Sequence, residues 1–368
     1  MKNLDFAQHA IISSKKFIKR LNNEDFKKFA PTLSSLGNGS KILSLGFSTF
    51  GLKLYYMLGE WDKLSDIEKK EWIDYINSFQ KNYKNLPKNS FLDSVLINHY
   101  SNFSLSGFFK DTIRSILNFL PIFQYDTNSI KFNKAVNAET KQAISTIYQV
   151  GFKNSKPYTP EQNDDLSVKK YLNSLNWSTP WSSGAQFASM CVYSRINSSD
   201  YANSLKEFIT SIANSDTGSY YTTTPNHSRE IINGAMKVLT GLHWLECEIH
   251  YPEKLIDYCI NNKPVMEGCD IVDYIYVLYR CSSQTDYKKD VILKIFDDSI
   301  KDIRKLFHED SGGFSYFRNK SQTHYYGVPI SDGENEPDIH GTLLCIWALM
   351  MILDANNYLE DHYKLIKP

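Results

Sequence analysis

The strongest constraint on the fold is an alternation between two kinds of helical segment. Charged amphipathic stretches, such as Glu68-Lys69-Lys70-Glu71-Trp72-Ile73-Asp74-Tyr75, are interleaved with stretches that are apolar almost all round. The second kind includes Gly184-Ala185-Gln186-Phe187-Ala188, Gly234-Ala235-Met236-Lys237-Val238-Leu239, Ile271-Val272-Asp273-Tyr274-Ile275 and Gly341-Thr342-Leu343-Leu344-Cys345-Ile346-Trp347. A helix apolar on every side must be buried on every side. Two concentric layers satisfy both kinds, with outer helices facing water and inner helices packed around an axis. Helical periodicity predicts helices over 67–81, 138–151, 201–214, 231–245, 271–281, 287–307 and 341–355, while strand signals are few and short. The expected fold is therefore all-α, an α/α toroid of paired inner and outer helices. One domain is expected over 1–368, with 1–45 as an N-terminal helical extension. Residues 153–162, which carry Pro157 and Pro160, are expected to link the two halves of the ring.

A weak internal repeat agrees with that layout. Asp216-Thr217-Gly218-Ser219-Tyr220-Tyr221 precedes the apolar helix at Asn233-Gly234, and Asp310-Ser311-Gly312-Gly313-Phe314 precedes the one at His340-Gly341. Each turn is an acidic residue, a small residue, glycine and then aromatics. Glycine there supplies positive φ after an outer helix. A degraded copy spans 80–93.

Charge and targeting signals exclude several classes. Lys+Arg and Asp+Glu are both 41, a balance that argues against a nucleic-acid binder, which carries a basic face. The apolar run 343–353 is too short to span a bilayer, so no integral membrane segment is expected. Met1 to Phe6 lacks a signal-peptide pattern, and six dispersed cysteines read as reduced thiols. A cytoplasmic location is the expectation. Gly37-Asn38-Gly39-Ser40-Lys41 lacks P-loop spacing, and no nucleophile elbow or His-Glu-X-X-His is present.

Glu267-Gly268-Cys269 opens one apolar helix and His340 opens another, with the Gly312-Gly313 turn between them. With the glycine-aromatic turns, these residues resemble the α/α toroids of terpenoid cyclases and protein prenyltransferases, most closely the prenyltransferase β subunit. The resemblance is good over the C-terminal half and is only a helical pattern before it. It implies an axial active site for an isoprenoid or similar anionic-headed substrate. It also implies a catalytic zinc on Glu267, Cys269 and His340, with no other cofactor. Three mixed O, S and N ligands with one open position is how catalytic zinc is held. The plainer reading is a packing cysteine and polar residues at helix starts. Glu stands where that family has Asp. Its diphosphate-binding residues have only Arg280 and Lys237 as candidates here. The Asp-X-Asp-Asp acid motif of squalene-type cyclases is absent, since Asp270-Ile271-Val272-Asp273 has different spacing.

A second reading is a carbohydrate-active enzyme on the same toroid. His227, His340, Tyr220, Asp270 and Asp338 would then be its acid and base candidates. Trp177, Trp181, Gln186, Tyr221, Tyr274, Tyr316 and Tyr325 are candidates to line a cavity and bind substrate by aromatic faces. His324-Tyr325-Tyr326 lies in a long loop, 318–337, that can cover a cavity mouth. A third reading is a non-catalytic toroid that binds a glycan or a partner. His243, Cys247 and His250 have the spacing of one helix face, but beside Tyr251-Pro252 they read as a helix end. The substrate expected is a small molecule or glycan, and the sequence indicates no particular protein partner.

Overall fold

The computed structural model describes residues 2–22, 25–36, 43–101 and 127–368; the 37–41 glycine segment lies outside them. The described residues form thirteen α-helices and three two-stranded hairpins, so the all-α class holds. The helices are α1 (Lys2–Arg20), α2 (Ser44–Met57), α3 (Asp66–Asn77), α4 (Ser94–Ser101), α5 (Asn128–Gln149), α6 (Asp165–Ser174) and α7 (Pro180–Asn197). They continue as α8 (Ala202–Ser211), α9 (Ser228–Trp244), α10 (Pro252–Asn261), α11 (Cys269–Ser282), α12 (Lys289–Arg304) and α13 (Ile339–Ala355).

Boundaries depart from periodicity where local chemistry intervenes. The helix expected to reach residue 81 stops at Asn77, because Gln80–Lys81 (β1) pairs with Ser90–Phe91 (β2). The helix expected from 138 begins at Asn128, capped by Thr127 accepting from the Ile130 amide. Helix α9 ends at Trp244 and Glu246 turns left-handed at φ 54°, so His243, Cys247 and His250 share no helix face.

Six helices, five of them largely apolar and α5 amphipathic, contact one another in a closed cycle: α2 on α5, α5 on α7, α7 on α9, α9 on α11, α11 on α13, and α13 back on α2. The amphipathic helices lie against them, with α8 on α7, α10 on α11, α12 on both α11 and α13, and α1 on α13. Helices α7 and α9 approach most closely. A Cβ at Gly234 would stand 2.6 Å from Pro180 Cβ, so only glycine permits that contact.

The repeated turns are small antiparallel clasps between an amphipathic helix and the next apolar one. Ala213 bridges Tyr220, Gln80 pairs with Phe91, and Phe307–His308 (β3) pairs with Gly313–Phe314 (β4). Gly218 and Gly312 take φ 74° and 81° there, the left-handed values expected of them.

A single hydrophobic core runs from Phe6 to Ile366. The segment expected as an extension supplies α1, whose Phe6, Ala10 and Phe17 enter that core. Residues 153–162 carry no helix and are tied to the first clasp, with Gln80 Nε2 donating to Lys156 O at 2.9 Å and Asn89 Nδ2 to Pro157 O at 2.8 Å. No helix among the described residues is long and apolar enough to cross a membrane.

Candidate functional site

A cavity of about 600 Å³ lies among these six helices and draws lining residues from all of them. Its lining follows helix periodicity: Phe50 and Lys53 on α2, Cys269, Val272 and Asp273 on α11, and His340, Leu343, Leu344 and Trp347 on α13. The loop before α13 closes one side through Gln322, His324, Tyr325 and Tyr326, part of it folded as the hairpin His324–Tyr325 (β5) and Val328–Pro329 (β6). Residues of the loop expected at a cavity mouth therefore line this cavity.

Charge is segregated into this cavity. Five lysines line it, Lys53, Lys131, Lys134, Lys141 and Lys237, against one acidic side chain, Asp273. The whole chain is neutral, so the local excess is a property of the site. Lys53 is only 8% exposed and makes no hydrogen bond or ion pair among the described residues. Burial pushes its ammonium down to about 8, against the opposing pull of Glu139. Burial also holds Lys141 well below the usual lysine range, helped by repulsion from Lys53 and Lys237. Both Asp273 oxygens are buried without a hydrogen-bond partner among the described residues, and Lys237 Nζ stands 3.9 Å away. Burial raises Asp273 to about 6 in spite of that lysine. Behind the wall, Glu139 accepts from the Tyr325 hydroxyl at 3.1 Å, and burial raises it to about 8.

Cys269, Tyr316 and His340 form a second group on the lining. Cys269 Sγ lies 3.1 Å from the Tyr316 hydroxyl, and burial pushes the thiol up to about 11. His340 stacks on Phe50 with ring centroids 4.6 Å apart. Gln322 Oε1 accepts from its Nδ1 at 2.9 Å, which leaves Nε2 as the unprotonated nitrogen. Burial, then Lys237 and Lys53, push His340 down to about 3.

The zinc set can be tested on these contacts. Glu267 faces Arg318, whose Nε is 3.8 Å from Oε1, and the Cys269 thiol is engaged with Tyr316. Among the described residues, no three His, Cys, Asp or Glu side chains are grouped so as to hold a metal ion. The donors as arranged do not fit zinc, and no chemistry below is routed through it.

Of the residues anticipated from sequence, His340, Cys269, Trp181, Gln186, Tyr316, Tyr325 and Lys237 line the cavity. The others do not line it, each for a local reason. Asp270 is held by Arg229 Nε at 2.9 and 2.8 Å and by Asn233 Nδ2 at 2.7 Å. Asp338 caps α13, with Oδ1 accepting from the Gly341 amide and Oδ2 from the Tyr316 and Gln322 amides. Tyr220 is fully buried with its hydroxyl 3.2 Å from His250 Nδ1, and Tyr221 lies 3.1 Å from Thr217 Oγ1. Tyr274 donates to Cys259 O, and the Trp177 indole donates to Leu172 O. His227 is the exposed residue before α9. Glu267 precedes α11 and is turned to Arg318.

No family model, no curated protein and no solved structure matches the chain.

The sequence gives no candidate at the polar groups that dominate the cavity, Lys53, Lys141 and Asp273, or at Glu139 behind its wall. Three of the cavity's charges carry a recoverable signal. Lys53 is the lone charge of α2, and Lys237 and Asp273 are charges set within apolar stretches of α9 and α11, where an ionised group is costly unless something in the interior uses it.

Proposed function

We propose that the chain is an enzyme built as an α/α toroid, like the prenyltransferases and terpenoid cyclases it resembles. Its axial cavity takes an isoprenoid or similar apolar molecule with an anionic head. The toroid reading is supported by the closed cycle of six helices, five of them largely apolar, with amphipathic helices against them. The observation that carries the functional reading is the lysine excess on a lining otherwise rich in apolar and aromatic side chains. Lys53, Lys141 and Lys237 come from three different helices and would hold the anionic head. Phe50, Leu343, Leu344 and Trp347 would take the apolar body. The volume falls in the range of roughly 300–1,000 Å³ typical of small-molecule sites. An axis this open does not suit a purely structural ring.

Asp273 gives the site a group that exchanges protons near neutral pH, since burial places its carboxyl at about 6. That carboxyl, with Trp181 and Tyr316 on the same lining, also supports the glycan-acting alternative.

Calorimetric titration with farnesyl diphosphate, inorganic diphosphate, farnesol and an oligouronate separates the two. Farnesyl diphosphate is expected to bind more tightly than either of its parts, to be displaced by diphosphate, and to weaken with salt. Tighter binding of the oligouronate, or equal binding of farnesol, would replace this reading with the glycan one or remove it.

A further inference from the structure

The axial lysines serve an anion as charges, and one of them is placed oddly for that purpose. Lys237 has Asp273 within 3.9 Å, and Lys53 feels the Glu139 carboxyl. Lys141 on α5 makes no hydrogen bond or ion pair among the described residues. The charged groups that act on it are two further lysines, Lys53 from α2 and Lys237 from α9, together with the buried Cys191 thiol of α7. The side chain is partly exposed and lines the cavity, so a guest can reach it. The groups that line the same space from other helices are Asp273 and Cys269 on α11 and His340 on α13.

An ammonium in that position is desolvated and repelled by two like charges. Losing its proton relieves both penalties. Desolvation beside other cations is one of the ways a lysine is made nucleophilic. The neighbouring lysines, Lys237 with the Asp273 carboxylate beside it and Lys53 beside the Glu139 carboxyl, remain available to hold an anion beside the free amine.

We propose that Lys141 is a nucleophilic amine that condenses with the aldehyde or ketone carbonyl of an anionic guest held in the axial cavity. The nitrogen lone pair forms the new bond to the carbonyl carbon, and the carbonyl oxygen takes up the amine protons. It then leaves as water as the carbon–nitrogen double bond closes. No electrons are gained or lost, and no co-reactant is needed. The inference rests on the anion-binding reading of the same cavity.

Pyridoxal 5′-phosphate is a suitable probe, since it joins an aldehyde to a phosphate. The intact protein is incubated with it at pH 7, with and without inorganic diphosphate, reduced with borohydride, and mapped by peptide mass spectrometry. Pyridoxal without the phosphate is run in parallel. Lys141 is expected to be labelled faster than exposed lysines by about tenfold or more. The labelling should saturate, be slowed by diphosphate, and fall with pyridoxal. Lys141→Arg should lose that label while surface labelling stays. Saturable, diphosphate-sensitive binding with no adduct at Lys141 overturns the imine and leaves the anion site standing. Labelling that neither saturates nor responds to diphosphate overturns the anion site, and this inference with it. The mapping is done on the unaltered chain, so it holds even where the variant fails to fold.

Discussion

Lys237 Nζ stands 3.9 Å from Asp273 Oδ1, between two helices that line one cavity. At that separation the pair attracts without a direct hydrogen bond, and both Asp273 oxygens are left without a hydrogen-bond partner among the described residues. The arrangement leaves Lys237 free to turn to a guest. Asp273 is also the one acidic side chain among the lining residues, so it opposes an anion.

Replacing each partner should therefore move anion affinity in opposite directions. Lys237→Met is expected to weaken binding of inorganic diphosphate by about tenfold, the worth of one charge-assisted contact. Asp273→Asn is expected to strengthen it. Titration calorimetry at low salt reads both, and a shift in the same direction for the two variants contradicts the assignment.

Cys269 offers a separate test of the metal question. A zinc-bound thiol is ionised at neutral pH, whereas burial holds this one at about 11 beside the Tyr316 hydroxyl. Alkylation of Cys269 in the folded protein should stay slow at pH 8 and rise only as the pH approaches 11. Metal content of the purified protein should be the same for Cys269→Ala as for the parent chain. A stoichiometric zinc that disappears in this variant restores the three-ligand site.

Much of this organisation was legible in the residues, and the limits have physical causes. Helix α13 was readable because Leu343 to Leu353 is apolar all round, a pattern that allows only a buried helix. The clasps were readable because glycine before aromatics permits a tight left-handed turn. Cys269 and His340 were placed in one cavity by their positions at the starts of apolar helices. Asp270, and not Asp273, is among the acid and base candidates read from the sequence, yet helical geometry favours the opposite choice. Cys269, Val272 and Asp273 lie at i, i+3 and i+4 and share a face, while Asp270 is turned about 100° away toward Arg229. Tyr274 is off that face for the same reason. Lys141 could not have been found this way, because it sits on a charged amphipathic helix whose lysines look like a solvated face.

The Asp338 carboxylate is a fastening point. One oxygen caps α13 at the Gly341 amide, and the other receives the Tyr316 and Gln322 amides at 2.7 and 3.1 Å. Asp338→Ala leaves three buried amides without an acceptor and is expected to cost about 3 kcal/mol or more in urea denaturation. It should also loosen His340, whose Nδ1 partner is Gln322. Asp338→Asn keeps a capping oxygen and should cost less. Equal losses in the two variants remove the capping explanation.

The last expectation concerns pH. Burial raises the folded Glu139 carboxyl from its ordinary 4.5 to about 8, so the folded protein holds that proton more firmly than the unfolded chain. Its contribution to stability is full below pH 4.5 and is lost as the pH rises through about 8. Glu139→Gln keeps an oxygen for the Tyr325 hydroxyl and removes the titration. Between pH 5 and pH 8 the parent chain should therefore lose stability relative to the variant, by about 1 kcal/mol for each pH unit. Lys53 titrates in the opposite sense over the higher range, since burial lowers it from 10.5 to about 8. The comparison therefore belongs below pH 8, in paired denaturation curves of the two proteins. A constant difference across that range means that Glu139 is ionised in the folded state throughout, and that Lys53, not Tyr325, is its working partner.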